Sequence, residues 1–159
     1  MNMPTPTTFA VALGPADVDP DLCTIPLAAA HVRLGFPSPA DDFQEDPINL
    51  HQLLVRRPAA TFLYRADGWS MSGAGINDGD ILVVDKSVRP LSGDLVIACW
   101  DGNQPTCKVL QEFPDHIELY SANPDHPPII LPPGTEVEVF AVVGIARQIH
   151  RRPLHVRSR

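Results

Sequence analysis

From Thr61 onward the apolar residues fall in short runs separated by glycine, aspartate and proline, a pattern of strands and turns. The runs predict strands over Thr61–Ala66, Ile81–Asp85, Asp94–Trp100, Gln104–Glu112, His116–Ser121, Val137–Val143 and Gly144–His150. Gly79-Asp80 and Gly93-Asp94 supply turns that feed two of these runs, and Asp101-Gly102 is a tight-hairpin signal. One segment departs from the pattern. In Asp46–Val55 the residues Leu50, Leu53 and Leu54 recur on one helical face, with Asp46 as N-cap, Pro47 at the first helical position and Pro58 as the stop. Seven short strands and one helix, with no alternating crossovers, predict an all-β fold: a mainly antiparallel barrel or sandwich whose sheet the helix caps.

The first 34 residues carry neither period. Pro4, Pro6, Pro15, Pro20 and Pro26 interrupt a run of Ala, Thr and Asp, and the segment reads as an extended arm that takes its order from docking elsewhere. Leu34-Gly35-Phe36-Pro37-Ser38-Pro39-Ala40 follows, where two prolines fix φ near −65° and push their predecessors toward extended backbone. Such a peptide is the shape that a protease binds along a strand edge. The expected division is an arm over residues 1–47, a β-rich body over 48–150 and a basic tail over 151–159.

Composition narrows the picture. The chain has 159 residues, enough for one domain with a proper core and hardly for two. Its 18 prolines are roughly twice the usual ~5%. A net charge of −7 argues against broad electrostatic binding of a nucleic-acid backbone by the body. The four arginines of the tail (Arg151, Arg152, Arg157, Arg159) read as a solvated end, with nucleic-acid or partner contact as the alternative. Cys23, Cys99 and Cys107 match no zinc or disulfide spacing and read as reduced thiols. No metal or cofactor motif is visible. No apolar run approaches the ~20 residues of a membrane span and no leader pattern opens the chain, so a soluble cytoplasmic protein is expected.

The candidate chemistry lies in Ser70 and Lys108. A hydroxyl becomes a nucleophile only when something removes its proton, and an amine does so only when neutral. For a lysine that ordinarily holds its proton to about pH 10.4, neutrality near pH 7 requires a bias of about 4.6 kcal/mol against the cation. Burial can supply that, provided that no carboxylate lies alongside. Lys108 sits among Cys107, Val109 and Leu110, and the nearest acid along the chain is Glu112. Ser70 follows Gly68-Trp69 at a strand-ending turn, where the N–H groups of Trp69 and Ser70 are candidates for an oxyanion hole. The blander alternatives are a structural turn serine and a solvated edge lysine. His51, His116 and His126 read as helix-surface, strand-start and loop residues, and Asp78, Asp80 and Asp85 as turn residues in preference to metal ligands.

The order of the motifs adds to this. Gly35-Phe36-Pro37-Ser38-Pro39-Ala40, Ile48-Asn49-Leu50-His51-Gln52-Leu53-Leu54, Gly68-Trp69-Ser70-Met71, Asp78-Gly79-Asp80-Ile81-Leu82-Val83-Val84-Asp85, Gly93-Asp94-Leu95-Val96-Ile97-Ala98 and Lys108-Val109-Leu110 follow one another between about Val32 and Arg147. This chain resembles the LexA/UmuD family of self-cleaving serine peptidases, and its UmuD-type SOS mutagenesis branch most closely. The resemblance implies a Ser70–Lys108 dyad, a scissile bond at Leu34-Gly35 and stimulation by a RecA filament on single-stranded DNA. It further implies a trimmed homodimer that joins a UmuC-type translesion polymerase. A repressor role is disfavoured, since residues 1–34 show no helix-turn-helix pattern.

Two positions depart from the family. Leu34 stands where a small residue or cysteine is usual, and forcing it into a small pocket costs about 1–3 kcal/mol, a slowing of about 5- to 150-fold. Tethering of the substrate offsets part of that, so slow self-cleavage is expected. Trp69 stands where an acid is common, placed to cover the serine or contact the arm. The competing readings are a non-cleaving polymerase-binding module and, remotely, a membrane signal peptidase.

Overall fold

The computed structural model describes residues 9–15 and 47–149. The expectations at Cys23, Leu34-Gly35, Asp46 and residues 151–159 lie outside the described residues. Among the described residues eight strands form one antiparallel sheet: β1 (Phe9–Pro15), β2 (Thr61–Asp67), β3 (Ile81–Asp85), β4 (Leu95–Trp100), β5 (Thr106–Glu112), β6 (Ile117–Tyr120), β7 (Ile129–Leu131) and β8 (Val137–Ala146). Their order is β1-β2-β3-β8-β4-β5-β6-β7, and β1 also meets β5 at Phe9 opposite Thr106. The strands from β1 to β5 in that order therefore close on themselves, while β6 and β7 extend the sheet beyond β5. The expected antiparallel all-β architecture with one short helix is what the chain forms.

Alternation along the central strands explains the core. On β4, Ile97 faces a cluster with Tyr64, Ala66, Met71, Ile76, Leu82, Val84 and Cys107. Val96 and Ala98 face the opposite way, into a second cluster with Leu110, Leu119 and Leu131. Successive side chains on a strand point to opposite faces, so a strand buried on both sides reads as the unbroken apolar run Leu95–Cys99. Each fully buried Leu or Ile contributes about 1.5–3 kcal/mol through removal from water.

Four details differ from the pattern-based reading. The helix α1 covers only Leu50–Leu54 and is capped by Asn49, whose side-chain oxygen accepts from the Gln52 N–H at 3.0 Å. The nearer Asn49 supersedes Asp46 as the cap because its carboxamide reaches the orphan N–H three residues on. Leu50 and Leu53 remain exposed, whereas Leu54 lies over Gly144, where an added Cβ would stand 2.9 Å from its Cδ2. The helix thus does cap the sheet, through Leu54. The expected strands Val137–Val143 and Gly144–His150 are one strand, β8, ending at Ala146. The break placed at Gly144 is a bulge: Val83 pairs with Gly144 and Val84 with Val142, leaving Val143 over.

Strand β7 was missed because Pro127, Pro128, Pro132 and Pro133 flank its three residues. Proline is tolerated at an edge, and β7 is one. Strand β1 was missed because its alternation in Phe9–Gly14 is between apolar and small residues, with nothing polar to mark a period.

Candidate active site

Strand β2 runs into the turn that carries Ser70. The chain bends at Gly68, which takes φ +97°, a left-handed conformation open to glycine at little cost. The bend is held by Asp78, whose Oδ1 accepts the Gly68 N–H at 2.8 Å. Beyond the serine, Met71 is fully buried and its Sδ accepts the Ala122 N–H at 3.4 Å. Gly73 lies so close to the same residue that an added Cβ would stand 2.0 Å from the Ala122 carbonyl oxygen. The serine turn is therefore seated against the segment after β6, and only glycine fits at 73.

Lys108 comes from the middle of β5, directly opposite Val96 of β4. Its Nζ lies 3.4 Å from Ser70 Oγ. Both residues are buried, Ser70 at 1% exposure and Lys108 at 2%. A distance of 3.4 Å is longer than the ~2.9 Å of a strong bond, so a small contraction separates this arrangement from proton-transfer geometry. Burial lowers the Lys108 pKa, and Cys107 is the smaller, opposing influence. The Cys107 thiol is itself pushed up to about 12 by burial, so it stays neutral and offers the ammonium no counter-charge near neutral pH. An amine in this setting gives up its proton readily and can take one from a hydroxyl at its side.

The remaining candidates are distributed as follows. Trp69 is 60% exposed and lines an open cleft of about 770 Å³ with Arg65, the Asn77–Ile81 turn and Ala146–Gln148. Trp69 thus lines this cleft, of whose lining Ser70 is not a part. Asp78 and Asp80 act within the turn that closes on Ser70, and Asp85 accepts the Ser87 N–H at 2.8 Å. His116 lies between two carboxylates, Asp115 at 2.7 Å and Glu118 at 3.0 Å, and stacks on Phe113. Its hydrogen-bonding nitrogens are thereby committed to acids and not to a serine hydroxyl.

One pairing lay beyond the sequence reading. Asp80, at 2% exposure, accepts from Arg147 Nε at 2.6 Å and from its terminal nitrogen at 2.5 Å, and the same terminal nitrogen donates to the Gly75 carbonyl at 2.7 Å. The Arg147 guanidinium holds the Asp80 carboxyl below its usual range. This clip ties the residue after β8 to both ends of the loop that follows the serine turn. Gly79-Asp80 marked the turn in the sequence, but nothing there marked Arg147 as its partner 67 residues away.

A buried serine hydroxyl beside a buried lysine, with no carboxylate at the amine among the described residues, on an antiparallel β-scaffold, is the arrangement used by serine–lysine peptidases. Residues 26–144 match the family described as Peptidase S24-like. The chain is 43% identical to Protein SamA of Salmonella typhimurium over 125 residues, covering 79% of this chain and 86% of that protein. It is 40% identical to Protein MucA of Escherichia coli over 121 residues, covering 76% and 82%. It is 32% identical to the LexA repressor of Listeria innocua over 132 residues, covering 82% and 63%. The chain belongs to the Peptidase S24-like family, within which it is a UmuD-like SOS mutagenesis protein.

Proposed function

We propose that this chain cuts its own backbone between Leu34 and Gly35, with Ser70 as nucleophile and Lys108 as general base, and that the trimmed product serves an error-prone polymerase. The observation that carries the reading is the 3.4 Å approach of the Lys108 amine to the Ser70 hydroxyl in a buried setting. The neutral amine takes the hydroxyl proton as Ser70 Oγ attacks the Leu34 carbonyl carbon. Backbone N–H groups of Trp69 and Ser70 serve the developing oxyanion. The ammonium returns its proton to the Gly35 nitrogen as the C–N bond breaks, leaving Leu34 as an ester on Ser70. Water, deprotonated by the same amine, then releases residues 1–34 with a terminal carboxylate. The division into an arm over 1–47, a catalytic body over 48–150 and a basic tail over 151–159 belongs to this reading.

In this account a RecA filament on single-stranded DNA stimulates the cut, in the cytoplasm. The trimmed chain forms a homodimer that joins a UmuC-type translesion polymerase. Leu34 makes the cut slow, by the pocket argument above. Intact protein incubated at alkaline pH, where more of the amine is neutral, yields a fragment whose first residue is Gly35, and Ser70→Ala abolishes it. Persistence of that fragment in Ser70→Ala rejects the assignment. Leu34→Ala speeds the cut by about 5- to 150-fold, and an unchanged rate rejects the pocket argument.

A further inference from the structure

The strand that closes the sheet lies on the far side of the proposed cut from the rest of the fold. Strand β1 pairs along β2, from Phe9 opposite Asp67 to Pro15 opposite Phe62, and its first residue also meets Thr106 of β5. Ala66 directs both backbone groups toward the other neighbour: its N–H donates to the Asp80 carbonyl at 2.8 Å and its carbonyl accepts the Gly79 N–H at 2.8 Å. Backbone groups alternate sides along a strand, so Leu63, Arg65 and Asp67 turn theirs toward β1. Among the described residues β2 pairs only with β1 and β3. Removal of β1 leaves a row of unsatisfied donors and acceptors on an otherwise ordered strand, the template on which an added strand forms.

We propose that this edge of β2 is a docking site for an extended strand of small, uncharged residues from a protein partner, held by Phe9–Pro15 in the intact chain and vacated when the arm is cut away. The site rests on the pairing geometry alone; its exposure by cleavage rests on the proposed function above. The chemistry of the occupant is read from the strand that already fits. Phe9-Ala10-Val11-Ala12-Leu13-Gly14-Pro15 carries no charge and no polar side chain, and alanine or glycine alternates with larger residues along most of it. Its register on β2 is regular except for one extra residue at Leu13. Arg65 and Asp67 of β2 stay exposed with the uncharged strand seated opposite them, so the occupant needs no charge of its own.

The test separates the edge from the cut. Val11 lies opposite Arg65, one of the residues that turn toward β1. Val11→Pro removes a ladder N–H and unseats the strand without breaking the chain. The variant is made in full-length Ser70→Ala, which stays intact, and a labelled peptide of the Thr8–Ala16 sequence serves as probe. Fluorescence anisotropy is expected to show binding to Val11→Pro/Ser70→Ala with a Kd at least tenfold below that for Ser70→Ala, and the same peptide with proline in place of Val11 is expected to bind neither. Hydrogen exchange at the Leu63, Arg65 and Asp67 amides becomes fast in the unseated variant and slow again with peptide. Unchanged protection in β3, β4 and β8 shows that the rest of the fold persists.

Equal binding to both proteins, or to neither, overturns the proposal. Dimerisation of the unseated variant through β2 that the peptide fails to reverse assigns the edge to a second copy and overturns it as well. If the unseated variant binds while wild-type protein never yields the Gly35 fragment, the docking edge stands and the cleavage reading falls.

Discussion

Asp80 and Lys108 are buried to the same degree, each at 2% exposure, and the fold treats them in opposite ways. Asp80 is met by Arg147 and by the Asn77 N–H, and its pKa is pushed down, so the charged form is the one the structure wants. Lys108 is met by a hydroxyl, and its pKa is lowered by burial, so the fold disfavours its charged form. Burial sets the stakes and the neighbours set the sign. A carboxylate with a guanidinium is a fastener, whereas an amine beside a hydroxyl, with no counter-charge among the described residues, is suited to act as a base. The two are linked in space, because the fastener fixes the loop that follows the serine turn.

The largest expected effect comes from forcing a charge into the wrong site. Lys108→Arg places a permanently protonated group where no carboxylate waits. Self-cleavage should fall at least about 10³-fold, and the midpoint of thermal unfolding should fall with it. Retained cleavage, followed as the Gly35 fragment by mass spectrometry, breaks the comparison at its functional end.

Next in size is the fastener. Asp80→Asn removes the charge that Arg147 binds and should cost about 1–3 kcal/mol, a loss of roughly 2–4 °C in Tm per kcal/mol for a chain of this size. The sign of the pH dependence follows from the lowered pKa of Asp80. Its contribution is present above the ordinary carboxylate range and disappears as pH falls through the lowered value. The substitution should therefore flatten the acid limb of a stability–pH curve, and an unchanged limb argues against the clip.

The smallest effect has the opposite direction. Lys108→Met replaces a costly buried amine with an apolar chain of similar shape and should raise stability by about 1 kcal/mol at neutral pH. Because the folded pKa lies below the unfolded one, the unfolded chain binds more protons in that window, and wild-type stability rises with pH. The advantage of Lys108→Met should shrink as pH climbs toward the ordinary lysine value. Denaturant titrations at several pH values measure both. A destabilised Lys108→Met means that the lysine is not an electrostatic burden.

How much of this was legible in the sequence depends on the kind of contact. The central strands announced themselves, because apolar runs such as Leu95–Cys99 are unambiguous and turn glycines such as Gly79 and Gly93 bound them. Ser70 and Lys108 were legible as types in context, a hydroxyl after a flexible turn and a lone lysine in an apolar strand. Their approach is a tertiary fact that composition and period do not encode. Arg147 illustrates the limit: its meaning lies in Asp80, and nothing local to either residue says so. Strand β1 illustrates another, since it exists through its pairing with β2 and β5 and not through any period of its own. The helix cap at Asn49 was missed for a smaller reason, because two polar residues stood within one turn and either was chemically able to cap.

The central claim of the proposed function is that burial makes the Lys108 ammonium give up its proton below the ordinary lysine range, leaving an amine able to take the Ser70 proton. A direct measurement is an NMR titration of the Lys108 side chain in full-length Ser70→Ala, with isotope-labelled lysine and Lys108→Met for assignment. The expected midpoint lies well below the ordinary lysine value of about 10.4. A Lys108 midpoint at or above the ordinary value contradicts it, and leaves a buried ammonium that has no means of activating the serine.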